Sequence, residues 1–293
     1  MKNTYWIFLW ALLLLAGCKT PVNLEAFRTN AETATEAGDY AIATEAWKMY
    51  FDQFTAENEP EASVYARAAE TAYQAGDADQ ALSWFDKAEQ KGYENPSIYL
   101  TLAEIYRNQN NIPNELLSLE TFKSKSPKEN SDVNVRLFNI YYDTKQLEKA
   151  LEVWNDMPDT EKQTAEGLVR FYDINRKMGN DAVIDSVSIE LLKVVPDHVD
   201  ALEWQAQKNY EIGEERYQRE MKQYQARPTT GNYQTLLRGL KAASADFRVA
   251  LQYFEKLWEV NPDSRGQYAV YMNNIHIRFN DKDKANYYKK FIQ

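Results

Sequence analysis

Apolar side chains along this chain recur at spacings of three and four. Tyr99, Leu102, Ala103 and Tyr106 form one such set, and Leu137, Phe138 and Tyr141 another. That spacing places each set on one stripe of an α-helix, the stripe that a folded chain buries. Between the stripes stand short triplets: Gly38-Asp39-Tyr40, Gly76-Asp77-Ala78, Asn110-Asn111-Ile112, Lys145-Gln146-Leu147, Gly179-Asn180-Asp181, Gly213-Glu214-Glu215, Ala245-Asp246-Phe247 and Asn280-Asp281-Lys282. They are separated by 38, 34, 35, 34, 34, 32 and 35 residues. The pattern predicts about eight helix-turn-helix units in phase, with turns near 38, 76, 110, 145, 179, 213, 245 and 280. In such a turn Gly or Asn takes the left-handed backbone that ends the first helix, and Asp caps the second.

Two further positions keep the same phase. Ala43, Ala81, Ala150, Ala250 and Ala285 put a small side chain where the two helices of a unit would cross closely. Four residues after that position Trp47, Phe85, Leu119, Trp154 and Phe254, and three after it Tyr288, supply a plug, and Pro127, Pro196 and Pro262 stand where the second helix should stop. This register resembles the tetratricopeptide repeat over nearly all of residues 24–293. The resemblance implies an all-α fold, a right-handed superhelix built as one solenoid of about eight helical hairpins. Units five and six depart from it, with Ile184 and Ser188, and Gln218 and Lys222, where Ala and an aromatic are expected. Both are therefore expected to be distorted, and Arg227-Pro228-Thr229-Thr230-Gly231 reads as a break or a slightly lengthened loop. No insertion of more than a few residues is expected between helices.

The N-terminal segment has a different pattern. Lys2 precedes an uncharged apolar run from Tyr5 to Ala16, which ends at Leu15-Ala16-Gly17-Cys18. The run is shorter than the roughly 20 residues a spanning helix needs and has the length of a signal-peptide core. Leu-Ala-Gly-Cys resembles the lipobox of bacterial lipoproteins. The resemblance implies a signal peptide over 1–17, acylation of Cys18 and a short tether over 18–23. Lys19 stands where families of Gram-negative bacteria carry an Asp for retention in the inner membrane, so the outer membrane is expected, with the protein facing the periplasm. Surface display is the alternative.

Composition narrows the chemistry. Net charge is −10, which argues against sequence-independent binding to nucleic acid or to anionic headgroups, and leaves the lipid anchor as the expected membrane contact. One cysteine excludes an internal disulfide, and two histidines 78 residues apart, His198 and His276, offer little for a zinc site. No phosphate-binding glycine loop, HExxH pair or nucleophile-base motif occurs, so no metal, cofactor or catalytic residue is expected, and the chain is expected not to be an enzyme.

In the family resembled, the residue three before each turn lines the concave groove. Here that position gives Thr35, Tyr73, Arg107, Tyr142, Arg176, Tyr210, Ala242 and Ile277, with Asn108 and Asn139 beside it. Tyr and Arg anchor many interfaces, so Tyr73, Arg107, Asn108, Asn139, Tyr142, Arg176 and Tyr210 are the candidate partner-binding residues. The bland alternative is that the tyrosines pack against the next repeat. The function expected is a non-catalytic, outer-membrane-anchored scaffold for protein interaction or assembly in the envelope, with envelope proteins as partners. A ligand- or glycan-capturing lipoprotein accessory to an outer-membrane transporter is the alternative. The apolar C-terminal end, with Tyr287, Tyr288 and Phe291, is a candidate surface for self-association.

Overall fold

The computed structural model describes residues 23–55, 57–126 and 130–292. The leader 1–17, Cys18, the tether except Asn23, and Pro127 lie outside the described residues. Among the described residues there are fifteen α-helices and no strand. They form two compact units, residues 23–126 and 130–292. The first contains α1 (Leu24–Glu36), α2 (Tyr40–Phe51), α3 (Ala62–Gln74), α4 (Ala78–Gln90), α5 (Ile98–Asn108) and α6 (Ile112–Lys125). The second contains α7 (Ser131–Asp143), α8 (Leu147–Asn155), the single turn α9 (Asp159–Lys162), α10 (Ala165–Met178), α11 (Asp181–Val194), α12 (Val199–Ala226), α13 (Thr230–Val260), α14 (Arg265–Arg278) and α15 (Lys282–Lys289). Helices pair in sequence as antiparallel hairpins of tetratricopeptide type: α1 with α2, α3 with α4, α5 with α6, α7 with α8, α10 with α11, α12 with α13, and α14 with α15.

Six of the eight expected turns form, and they share one backbone solution. Gly38, Gly76, Asn110, Lys145, Gly179 and Asn280 all have positive φ, from 54° to 82°. The amide after each donates to the carbonyl five residues back, as in Asp77 N to Ala72 O at 2.9 Å and Gln146 N to Tyr141 O at 2.8 Å. This closes the first helix by a Schellman motif. The residue after the left-handed one is Asp, Asn or Gln in every case. Side chains of Asp77, Asn111 and Asp281 accept from the amide three residues on, so the second helix starts capped.

Packing follows the sequence register. Ala43, Ala81, Ala150 and Ala250 are fully buried at the crossings, and Trp47, Phe85 and Phe254 are fully buried as plugs. Each plug stabilises by roughly 1.5–3 kcal/mol through area removed from water. Unit five is a regular hairpin despite Ser188, because that hydroxyl is buried and accepts a 2.7 Å hydrogen bond from Gln205 Nε2. A satisfied polar contact replaces the aromatic plug there.

The turns expected at Gly213 and at Ala245-Asp246-Phe247 do not form. Gly213 lies inside α12, a helix of 28 residues, and Ala245 inside α13, of 31 residues. The single reversal comes at Arg227–Thr229. The described helices thus make seven hairpins, and one of them is long. Its proximal part is an ordinary repeat: Leu202 and Ala206 of α12 pack with Ala250, Phe254 and Leu257 of α13 in one buried cluster. With residues 214–245 left out, Gly213-Asp246-Phe247 matches Gly76-Asp77-Ala78, Ala250 takes the place of Ala81 and Phe254 that of Phe85. Unit six is therefore one repeat whose turn carries a 32-residue helical insertion, and the expectation of no sizeable insertion is corrected. The reason lies in what a turn at Gly213 would bury. Glu214 follows it in place of an N-cap, and a second helix starting there would aim Gln218 and Lys222 at the core, at the cost of burying polar groups without partners.

The inserted arm extends the hairpin by about 20 Å, at 1.5 Å per residue over thirteen residues. Its helices stay in contact throughout. Gly213 faces the Phe247 ring, where an added Cβ would sit 2.9 Å from it. Further out, Gly239 faces the Glu220 side chain, and the Tyr224 and Tyr233 rings meet at 5.8 Å near the tip. Arg278 of α14 braces the base, holding Glu214 through two hydrogen bonds of 2.6 and 3.0 Å while stacking over Tyr217 at 4.1 Å.

Candidate functional site

The first helices of the hairpins carry the candidate binding residues, and the helical turn fixes where each points. Tyr73, Arg107 and Asn108 belong to the first unit; Asn139, Tyr142, Arg176 and Tyr210 belong to the second. In the first unit the Thr35 and Thr71 hydroxyls meet at 3.3 Å between α1 and α3. Tyr73 on α3 is half-buried and packs on the core of that unit. Burial, and then its hydrogen bond to Glu104 of α5, raises its phenol pKa. Arg107 and Asn108 end α5 exposed to solvent.

The second unit shows the same linkage in more detail. Tyr142 donates to Asp173 of α10 at 2.7 Å, with the Arg170 guanidinium over its ring at 4.9 Å and Lys177 Nζ at 5.4 Å. Burial, then the bond to the Asp173 carboxylate, pushes its pKa up to about 12. Half-buried Asn139 offers its carbonyl to Arg170 at 3.4 Å. Arg176 Nη1 reaches the Tyr172 hydroxyl at 3.2 Å and the Asp200 carbonyl of α12 at 3.4 Å. Tyr210 packs edge-on against Tyr271 of α14 at 5.0 Å and accepts from Asn274 Nδ2 at 3.3 Å. Tyr73, Tyr142, Arg176 and Tyr210 therefore each contact the first helix of the next hairpin. These contacts tie neighbouring hairpins together, whereas Arg107 and Asn108 are exposed.

Both histidines have structural positions. His198 is the N-cap of α12, where Nδ1 accepts from the Ala201 amide at 3.3 Å. His276 is buried beneath Tyr288, whose ring stacks on it at 5.5 Å. Its Nδ1 lies 3.5 Å from the Asp281 carboxylate, too far for a good hydrogen bond, and burial lowers its pKa despite that charge. Among the described residues no group of three or more His, Cys, Asp or Glu side chains could hold a metal ion. No described helix is long and apolar enough to cross a membrane.

Sequence reasoning missed two features. One is the arm, although Glu214 after Gly213, and Ala245 where Gly or Asn is needed, both signal that those turns fail. The other is a cleft of about 690 Å³ lined by Trp154, Leu168, Phe171, Val187 and Val194, with Lys162, Gln163, Ser186 and Glu190 among its polar lining. Trp154 stacks flat on Phe171 at 4.2 Å there. Lining residues come from three hairpin helices and α9, and no local sequence signal brings them together.

No family model matches the chain, and no curated relative matches it. Solved structures do. A tetratricopeptide repeat protein from Parabacteroides merdae is 15% identical, with 92% of this chain and 91% of that one covered and a TM-score of 0.42. YrrB, described as a tetratricopeptide protein with an unusual peptide-binding site, is 18% identical over 75% of this chain and 94% of its own, with a TM-score of 0.41. PilW, described as a type IV pilus biogenesis factor, is 14% identical over 79% and 92%, with a TM-score of 0.31. The repeat assignment itself stands on the six left-handed turns and the buried Ala and aromatic register of this chain.

Proposed function

We infer that this chain is a lipoprotein of a Gram-negative envelope, held to the outer membrane by acyl groups on Cys18, facing the periplasm and acting as a non-catalytic scaffold for protein partners. The Leu15-Ala16-Gly17-Cys18 sequence carries the anchoring part, since it puts the chain's one thiol where lipid transfer requires it. Several acyl chains hold a protein to a membrane durably, whereas one is marginal. The scaffold part is supported by a surface built of repeated hairpins with Arg107 and Asn108 exposed on α5, the kind of extended face that repeat proteins offer to partners. Exposed Tyr287 and Phe291 near the end of the second unit make self-association through that repeat part of the same reading, to be checked by sedimentation velocity. The ligand-capturing alternative keeps one supporting observation, the cleft with Trp154 stacked on Phe171. Quenching of tryptophan fluorescence by an oligosaccharide would favour it.

The deciding experiment for the anchor is Cys18→Ser in the full chain. Fatty-acid labelling is expected to vanish and the leader to stay uncut by the lipoprotein peptidase. Labelling that persists in the variant contradicts the anchor.

A further inference from the structure

The net charge of the chain hides a segregation that the arm makes visible. Between Arg219 and Lys241 stand five basic residues, Arg219, Lys222, Arg227, Arg238 and Lys241, against one carboxylate, Glu220, so this stretch is net +4 in a chain of net −10. All five cations are exposed. Glu220 is only 13% exposed and is held by Arg219 at 3.2 Å. Among the described residues no ion pair involves Lys222, Arg227, Arg238 or Lys241, whereas basic groups nearer the core, such as Arg170, Lys208, Arg216 and Arg278, are paired with carboxylates. Tyr233 and Leu237, one turn apart on α13, are 45% and 44% exposed beside these cations.

We propose that the outer part of the arm, through Arg219, Lys222, Arg227, Arg238 and Lys241 with Tyr233 and Leu237, docks on anionic phospholipid headgroups. Distance lets these cations act apart from the net charge of the chain. At 1.5 Å per residue Arg227 stands about 20 Å from the base of the arm and Lys222 and Arg238 about 10 Å, against a Debye length of about 10 Å at 0.1 M salt, so the acidic remainder is largely screened from these three and partly from Arg219 and Lys241. Basic residues near an anionic leaflet each contribute about 1 kcal/mol, or about fivefold in binding. Exposed tyrosine suits the headgroup level, with its ring in the apolar boundary and its hydroxyl in water.

A lipid surface fits better than an acidic protein segment, because the cations are carried by both helices and the loop. The cleft near the tip, about 250 Å³, is lined by Glu220, Gln223, Tyr224, Asn232, Thr235 and Leu236 and by none of the five. The choice also rests on the anchor reading, since a chain acylated at Cys18 is always next to a bilayer. Its arm would then meet that bilayer as a second contact and fix how the hairpins stand above it.

The test uses the polypeptide from Lys19 onward, which has no leader or lipid and retains every described helix. It is sedimented with vesicles of phosphatidylcholine alone, with vesicles also containing phosphatidylglycerol, and with a poly-glutamate peptide as competitor. Binding is expected only to the phosphatidylglycerol vesicles, and it should weaken as salt rises. The variant combining K222Q, R227Q, R238Q and K241Q should lose that binding by a hundredfold or more, at about fivefold per charge removed, with unchanged helix content and melting. Equal binding to both vesicle types, or full binding by the variant, overturns the proposal. Absence of vesicle binding together with charge-dependent capture of poly-glutamate overturns it in favour of an acidic protein partner. Since this polypeptide carries no lipid, failure here leaves the anchor to its own test at Cys18.

Discussion

The hairpins α3–α4 and α12–α13 share a register of small residue and aromatic plug, Ala81 with Phe85 in one and Ala250 with Phe254 in the other, all fully buried. One reverses after a first helix of 13 residues, the other after 28. Both have glycine at the expected turn. What differs is the next residue and the helix it would start. Asp77 caps α4 and leads into Ala81 and Phe85, whereas Glu214 would lead into Gln218 and Lys222. A glycine permits a left-handed turn without requiring one, and the apolar stripe that follows decides whether the turn is used. Gly213 serves instead as the place where the Phe247 ring lies against the α12 backbone.

That contrast predicts unequal responses to truncation. Phe254→Ala, in the repeat proper, should cost about 3–5 kcal/mol in denaturant unfolding, as buried aromatic deletions do. Leu237→Ala, on the exposed face of the arm, should change stability by no more than about 0.5 kcal/mol. Similar costs at the two positions would mean that the arm is part of the core.

Most of the repeat architecture was legible because its signals are local and redundant. A left-handed residue, an N-cap, an Ala and an aromatic fall within ten residues of one another at the turns of Gly38, Gly76, Lys145 and Asn280, so Lys145 turns with φ 62° even without glycine. The long hairpin was illegible to period counting because its insertion of 32 residues is close to one repeat length. It therefore preserved the phase and passed for a unit of its own. The candidate face was legible as a set of positions but not as a set of roles. Tyr142 and Arg176 were readable as lying on first helices, yet their partners Asp173 and Asp200 come from the next hairpin, and only packing brings them together.

Substitutions at turn positions sharpen the comparison with smaller effects. Gly213→Ala should destabilise by about 1–3 kcal/mol by driving a methyl group into Phe247. Lys145→Gly should stabilise by about 1 kcal/mol, since it relieves a left-handed L-residue in a turn that forms anyway. Denaturant midpoints read both. If Gly213→Ala is neutral, the close approach to Phe247 is not what keeps glycine there.

The central claim is that unit six is one tetratricopeptide repeat interrupted at its turn. Deleting residues 214–245 joins Gly213 directly to Asp246 and restores the Gly-Asp turn of α3–α4, with Ala250 and Phe254 in register. Thermal unfolding followed by circular dichroism is the direct measurement. The shortened chain should lose the helix signal of the arm and still melt cooperatively, its stability lowered by about 2–4 kcal/mol because the buried Ala243, the Tyr217 ring packed on the same cluster and the Glu214–Arg278 pair leave with the arm. A chain that aggregates or melts without cooperativity would contradict the account, because the two long helices would then be one indivisible element.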